Sequence, residues 1–246
     1  MTTANTWKDR VRSFLPWPLY WKLKRLREEI KTIPTHGDLT ELAKIYKTDK
    51  WGYHFYTPVY QHWFRDLRHK PIRLLEIGVG GYAKPLHGGD SLRMWKRYFY
   101  KGMITGIDLY DKSALQESRL KIYQGDQTDP AFLKRVTDTE GPFDIIIDDG
   151  SHVNSHIITS FEILFPLMPS GGIYVIEDTQ TSYWPKYEGS TAQMKSVPSA
   201  MNYFIERVHA VNSTEWLKDE THPDLPDQGI ASIVFYHNLI FVVKKG

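Results

Sequence analysis

The sequence predicts an α/β fold: a doubly wound, mostly parallel sheet with an antiparallel C-terminal hairpin and helices ahead of the sheet. Three observations carry this expectation. Short apolar runs rich in β-branched residues alternate with stretches of helical apolar spacing, the signature of βαβ units. The runs are continuously apolar, as strands covered on both faces require. Acids also crowd their carboxyl ends: Glu76, Asp108, Asp126, Asp148, Asp149, Glu177 and Asp178 all fall at or near predicted strand ends, which is where open α/β sheets bind ligands.

Taken in order, residues 1–32 hold eight basic and three acidic residues, a net +5, interleaved with Trp7, Phe14, Trp17, Tyr20 and Trp21. Such a basic amphipathic segment suits a membrane surface. A helix packed on its own domain or on a second subunit is the expectation. Residues 38–50 and 52–70 have helical spacing. RLLEIGVGG (73–81) is a strand running into glycines, and SLRMWKRYF (91–99) a helix. MITGIDLY (103–110) is a second strand and RLKIYQGDQTD (119–129) a weaker third. PAFLKRVTD (130–138) is a helix with proline at its start, where the missing N–H costs nothing. FDIIIDDG (143–150) is a fourth strand, HIITSFEILFPLM (156–168) a helix and GIYVIEDTQ (172–180) a fifth strand. The polar stretch from residue 181 to Pro198 reads as a loop over the acidic rim. Residues 199–219 read as a helix, and 230–246 as a closing hairpin turning at His237 and Asn238. The expected organisation is an N-terminal helical segment or lid over 1–60 and one main domain over 61–246.

Composition narrows the function classes. Thirty-one basic and 29 acidic residues leave a net charge of +2, without the basic excess of a dedicated nucleic-acid binder. With no cysteine, disulfides, thiolate metal sites and cysteine nucleophiles are excluded. No apolar run approaches the ~20 residues of a membrane span, and the N-terminus has no secretory h-region. A cytoplasmic protein is expected.

The strand–glycine turn–helix unit followed by an acid on the next strand is a nucleotide-binding layout. Gly78 and Gly80 let the backbone approach a ligand, and Asp108 accepts from ribose hydroxyls. A dinucleotide site expects a third glycine at the position held by Ala83, and an insertion, YAKPLHGGD, separates the turn from its helix. Glu76, just before the first glycine, would repel a pyrophosphate and suits a positively charged or ammonium-bearing ligand. E-x-G-x-G resembles the first motif of the class I S-adenosylmethionine methyltransferases, which implies a Rossmann-like sheet and that cofactor. In that family a later acid binds the adenine amine, a role that falls here on Asp126.

At the ends of strands four and five stand Asp149, His152, Glu177 and Asp178. Packed carboxylates are costly unless a cation neutralises them, and oxygen ligands suit Mg²⁺ or Mn²⁺ over zinc. The bland alternative is that these acids cap the following helix and loop. Asp148, turned to the other face of the strand or left as a cap, is counted with the cofactor contacts, as are Ser91 and Tyr56. Tyr56 suits a core position equally. Tyr183 and Trp184, with Tyr187 nearby, are expected either to stack on sugar faces or to pack under the loop.

LLEIGVGGY, GGDSLRMWK, GIDLYDKS, QGDQTDPAFL, FDIIIDDGSHVNSH and GGIYVIEDTQTSYW together resemble the Mg²⁺-dependent sugar O-methyltransferases. That family includes macrolide deoxysugar enzymes and a mycobacterial methylmannose polysaccharide 1-O-methyltransferase. The match spans roughly residues 38–190, and KTDKWGYHFYTPVY (47–60) resembles the segment that helps close the family's cofactor pocket. The resemblance implies Asp149, Glu177 and Asp178 as metal ligands and His152 as the base. The short chain, without the extra N-terminal domain of the mycinamicin type, points to a mannoside acceptor in polysaccharide biosynthesis. The alternatives are deoxysugar methylation on a glycosylated natural product and a catechol-type O-methyltransferase. A nicotinamide oxidoreductase is opposed by Glu76, and a passive binding module by the converging acids. A sugar or oligosaccharide acceptor and a possible homo-oligomer complete the expected partners.

Overall fold

The computed structural model describes residues 16–35, 37–215 and 229–246, and the chain divides into two compact units, Met1–Trp63 and Phe64–Gly246. The first unit holds α1 (Trp17–Thr32), α2 (Leu39–Tyr46) and most of α3 (Thr57–Phe64). Asp38 starts α2 by accepting from Glu41 N at 3.0 Å, and Lys47 ends it in the left-handed conformation at φ +63°. Within this unit Thr40 and Thr57 share a 2.8 Å hydroxyl hydrogen bond, and Gln61 Oε1 accepts from Leu39 N at 2.9 Å. The long helix expected over 52–70 is shorter, because Trp51 and Phe55 form an isolated β-bridge ahead of α3. On α1 the apolar side chains Leu19, Leu23, Leu26 and Ile30 are exposed, while Tyr20, Lys24, Arg25 and Glu28 are half-buried. Of the two settings expected for this helix, its own domain or a second subunit, the first leaves these four apolar side chains uncovered. Residues 1–15 of the basic segment lie outside the described residues.

The second unit is a seven-stranded sheet in the order β3-β2-β1-β4-β5-β7-β6. Its strands are β1 (Arg73–Ile77), β2 (Met103–Asp108), β3 (Leu120–Gln124), β4 (Ile145–Asp148), β5 (Ile173–Glu177), β6 (Ile230–Tyr236) and β7 (Leu239–Lys244). The first five are mutually parallel, and β7 runs antiparallel to β5 and β6. The hairpin expected at 230–246 is present, with Asn238 at φ +60° in its turn. Helices α4 (Asp90–Tyr98), α5 (Pro130–Glu140), α6 (Asn154–Leu164) and α7 (Ala200–Glu206) complete the unit. Asp129 caps α5 through Ala131 N and Phe132 N, and proline occupies its first turn.

Strand alternation sorts the side chains. Leu75, Ile77, Ile146, Tyr174 and Ile176 join Phe132 and Phe161 in one core under α5 and α6. Glu76 and Glu177 carry the opposite parity and turn to the α4 face. Glu76 pairs in register with Gly106, where an added Cβ would meet Leu92 of α4 at 2.8 Å. The strand order reverses between β1 and β4, the switch point beside which such sheets form a crevice.

Candidate active site

The glycine turn after β1 is shaped by two different demands. Gly78 has φ +96°, and a Cβ there would sit 2.1 Å from the carbonyl oxygen of Asp149. Glycine is thus required for β1 and the β4 loop to pass each other. Gly80 has φ +76° with nothing within 4 Å of an added Cβ, which leaves an open concavity at the turn. Asp108 closes the next strand and braces the turn, its Oδ2 accepting from Val79 N at 2.9 Å and its Oδ1 from Tyr110 N at 2.9 Å. Each oxygen keeps a second lone pair for a ligand hydroxyl. The insertion YAKPLHGGD is anchored by Lys112, whose Nζ donates to the carbonyls of Lys84 at 2.8 Å and His87 at 3.0 Å.

Gly78→Ala is an expected destabiliser. It adds strain at a positive φ and a backbone clash that no side-chain rotation relieves. A cost above about 1 kcal/mol lowers the melting temperature of a chain this size by about 3 °C or more. Thermal denaturation with and without cofactor checks it. An unchanged melting temperature would show that the turn is not held as described.

Glu76 is fully buried and accepts from Ser91 Oγ at 3.0 Å, so Ser91 reaches the site through Glu76. Asp126 lies past the end of β3 on an exposed loop, beyond the strand expected to carry it. Thr128 N and Oγ1 both donate to its Oδ1 at 2.8 Å. These two bonds lower its carboxyl from the ordinary aspartate value. Tyr56 belongs to the first unit, where its ring stacks on His54 at 4.8 Å.

The acids converge in two overlapping clusters. Asp149, His152 and Asp178 offer ligand atoms within 4.8 Å of one another, and so do Glu76, Asp149 and Glu177. Asp149 belongs to both. The three acids expected together are therefore divided between the clusters, and Glu76, assigned from sequence to the cofactor, also stands among the carboxylates. His152 Nε2 is 4.0 Å from Asp149 Oδ1 and 3.8 Å from Asp178 Oδ2. His152 and Asp178 are both left-handed non-glycine residues, at φ +58° and +55°. Such backbone is disfavoured and concentrates at functional sites.

Asp148 requires a correction. It was grouped with the cofactor contacts, but it is only 1% exposed and shares the parity of Ile146, facing α6. Ser160 Oγ donates to its Oδ2 at 2.5 Å and Gln127 Nε2 to its Oδ1 at 3.3 Å. Burial pushes its carboxyl upward, against the bond from Ser160 and the charge of His152, which act to lower it. Asp148 thus supports the site from behind the rim. Two supporting residues escaped the sequence analysis. Gln127, one residue after Asp126, also accepts from Ser151 N at 2.9 Å and so ties the β3 loop to the His152 loop. Asn154 is buried at the start of α6 beside His152. Their partners lie 21 to 46 residues away, which no local pattern reveals.

Beyond β5, the segment to α7 lies against this loop. Trp184 is 49% exposed, its ring 6.1 Å from that of Tyr187, and the Tyr187 ring is 6.5 Å from that of His152. Tyr183 is half-buried. Of the three aromatics, Tyr187 has a ring contact with His152.

No family model matches the chain. It is 46% identical over 209 residues to the mycinamicin VI 2''-O-methyltransferase of Micromonospora griseorubida, covering 84% of this chain and 52% of that one. It is 41% identical over 249 residues to the 8-demethyl-8-alpha-L-rhamnosyl tetracenomycin-C 2'-O-methyltransferase of Streptomyces olivaceus, covering 99% and 65%. A solved structure of a methyltransferase from the mycinamycin biosynthetic pathway, in complex with Mg and SAH, superposes with a TM-score of 0.80 at 44% identity. That superposition covers 85% of this chain and 53% of the other. The chain spans about half the length of the mycinamicin relative, and 65% of the tetracenomycin one. At these identities, and with the same sheet, the chain belongs to the family of sugar O-methyltransferases that these relatives represent.

Proposed function

We propose that the chain is an S-adenosylmethionine-dependent, Mg²⁺-dependent O-methyltransferase that methylates a deoxysugar hydroxyl on a glycosylated natural product. The observation that carries it is the convergence of Glu76, Asp149, His152, Glu177 and Asp178 beside the Gly78–Gly80 turn. Like charges packed this closely are unfavourable unless a cation joins them. An all-carboxylate donor set beside one imidazole fits a hard ion that keeps places for substrate oxygens. The relatives support the acceptor class: their names specify a rhamnosyl group and an olivosyl group, both deoxysugars. The mannoside acceptor favoured by the short chain length has no counterpart among them.

Bound S-adenosylmethionine supplies the methyl group, and bound Mg²⁺ the positive charge that makes an acceptor hydroxyl more acidic. The remaining work belongs to this chain. Asp149, Glu177 and Asp178, joined by Glu76, hold the ion. Glu76 with Ser91, the open turn at Gly80, Asp108 and Asp126 hold the cofactor. Trp184 and Tyr187 offer ring faces to a sugar, with Tyr183 behind them. His152 is placed to take the hydroxyl proton at Nε2; the methyl group would pass to the oxygen as its bond to sulfur breaks, with S-adenosylhomocysteine leaving. Orientation of the two substrates accounts for much of the rate.

The test is transfer of labelled methyl to L-rhamnosides, olivosides, mannosides and catechol, with Mg²⁺ and with EDTA. Transfer to a deoxysugar that stops with chelator is expected. Transfer that survives chelation removes the metal from the proposal, and exclusive transfer to mannosides or catechol replaces the acceptor. No helix among the described residues is long and apolar enough to cross a membrane. The exposed stripe Leu19, Leu23, Leu26 and Ile30 on α1 has the spacing by which a helix pairs with a second copy. Light scattering of wild type against Leu23→Glu reports that self-association.

A further inference from the structure

Asn154 stands two residues after His152 and is fully buried. Its amide makes four hydrogen bonds. Nδ2 donates to Tyr187 O at 2.6 Å and to Thr181 O at 3.3 Å. Oδ1 accepts from Ala200 N at 2.6 Å and from Ser182 Oγ at 3.1 Å. Two donors and two lone pairs are the whole capacity of a side-chain amide. The four partners sit at the start, middle and end of the segment between β5 and α7. Next to it, Ser155 N donates to Glu188 Oε2 at 3.0 Å. Gly189 N closes the same segment on Trp184 O at 3.0 Å, where a Cβ would sit 2.4 Å from Thr181 O. The segment that presents Trp184 and Tyr187 is thus fastened to α6 directly behind His152.

We propose that Asn154 is a positioning residue that fixes the distance between His152 and the Trp184–Tyr187 aromatic wall, and so places the acceptor sugar against the base. This rests on the acceptor assignment made above. No residue of the cofactor side touches Asn154 through a described hydrogen bond, so its effect falls on one substrate. A buried amide with every bond used has no alternative partner when one is removed, and the fastened segment loosens as a unit. A misplacement near 1 Å can cost about a hundredfold in rate, so a partial loosening is expected to cost about tenfold.

The experiment pairs steady-state kinetics with amide hydrogen exchange on Asn154→Ala. Expected are a fall of about tenfold in kcat together with a rise in KM for the acceptor, an unchanged KM for S-adenosylmethionine, and faster exchange over residues 181–189. Ser182→Ala, which takes away one of the four bonds, should move the same two readouts less and in the same direction. It keeps the test open should Asn154→Ala fail to fold. Equal changes in both KM values would reduce Asn154 to a general structural residue and overturn the proposal, as would unchanged exchange over 181–189. Absence of wild-type transfer to any sugar counts against the acceptor assignment alone. The exchange comparison then still decides whether Asn154 fastens the segment.

Discussion

His152→Ala is expected to abolish methyl transfer while leaving S-adenosylmethionine binding intact. A positioned general base contributes about 10²–10⁴-fold, and no other imidazole belongs to either acidic cluster among the described residues. His156 is committed elsewhere, its Nδ1 sharing a 2.9 Å hydrogen bond with Ser151 Oγ. The residues assigned to the cofactor, Glu76, Gly80, Asp108 and Asp126, lie on β1, β2 and the β3 loop, and none is held by the His152 side chain through a described hydrogen bond. Calorimetric titration with S-adenosylhomocysteine should therefore give wild-type affinity in a variant with no turnover. Alanine keeps the Cβ at the left-handed backbone of φ +58°, so the substitution relieves none of the strain there. Turnover within tenfold of wild type would show that the proton leaves by another route.

Much of this is legible in the sequence alone. Five apolar runs, each closing on an acid or glycine, point to a parallel sheet with its ligands at one rim, because strands covered on both faces are continuously apolar and such sheets bind ligands beyond their carboxyl ends. Asp149, His152 and Asp178 could be grouped because β4 and β5 are neighbours. Period-2 alternation separates Asp148 from Asp149, and the bonds from Ser160 and Gln127 hold Asp148 on the buried face of the strand. What stayed hidden depends on distance in sequence. Glu76 joins Asp149 and Glu177 only because β1, β4 and β5 lie side by side; in sequence it stands 73 and 101 residues before them. Asn154 reads locally as one more polar residue at a helix start, and only the returning segment gives it partners. The end of α2 and the start of α3 depart from the pattern because Lys47 and the Trp51–Phe55 bridge interrupt runs whose apolar spacing continues.

The second large effect is expected at Asp149, the residue common to both acidic clusters, and its sign depends on the metal. In chelator, Asp149→Asn removes one negative charge from beside Glu76 and Glu177, both buried, so repulsion falls and the variant should melt at or above the wild-type temperature. In Mg²⁺ the order reverses. An ion that binds only the folded state stabilises by about 2.7 kcal/mol at a hundred times its dissociation constant. For a chain of this length that corresponds to a rise of roughly 5–10 °C in wild type. The variant, lacking an oxygen charge that both clusters need, should show little or none of that rise and no methyl transfer. Asparagine keeps the backbone carbonyl that passes Gly78, so the turn itself is undisturbed. The crossing of the two melting curves, variant higher in chelator and wild type higher in Mg²⁺, separates a metal site from a set of capping acids. Capping acids would show no Mg²⁺-dependent difference, because asparagine caps a helix about as well as aspartate. A variant that melts below wild type in chelator and still gains the full Mg²⁺ increment would place the ion elsewhere.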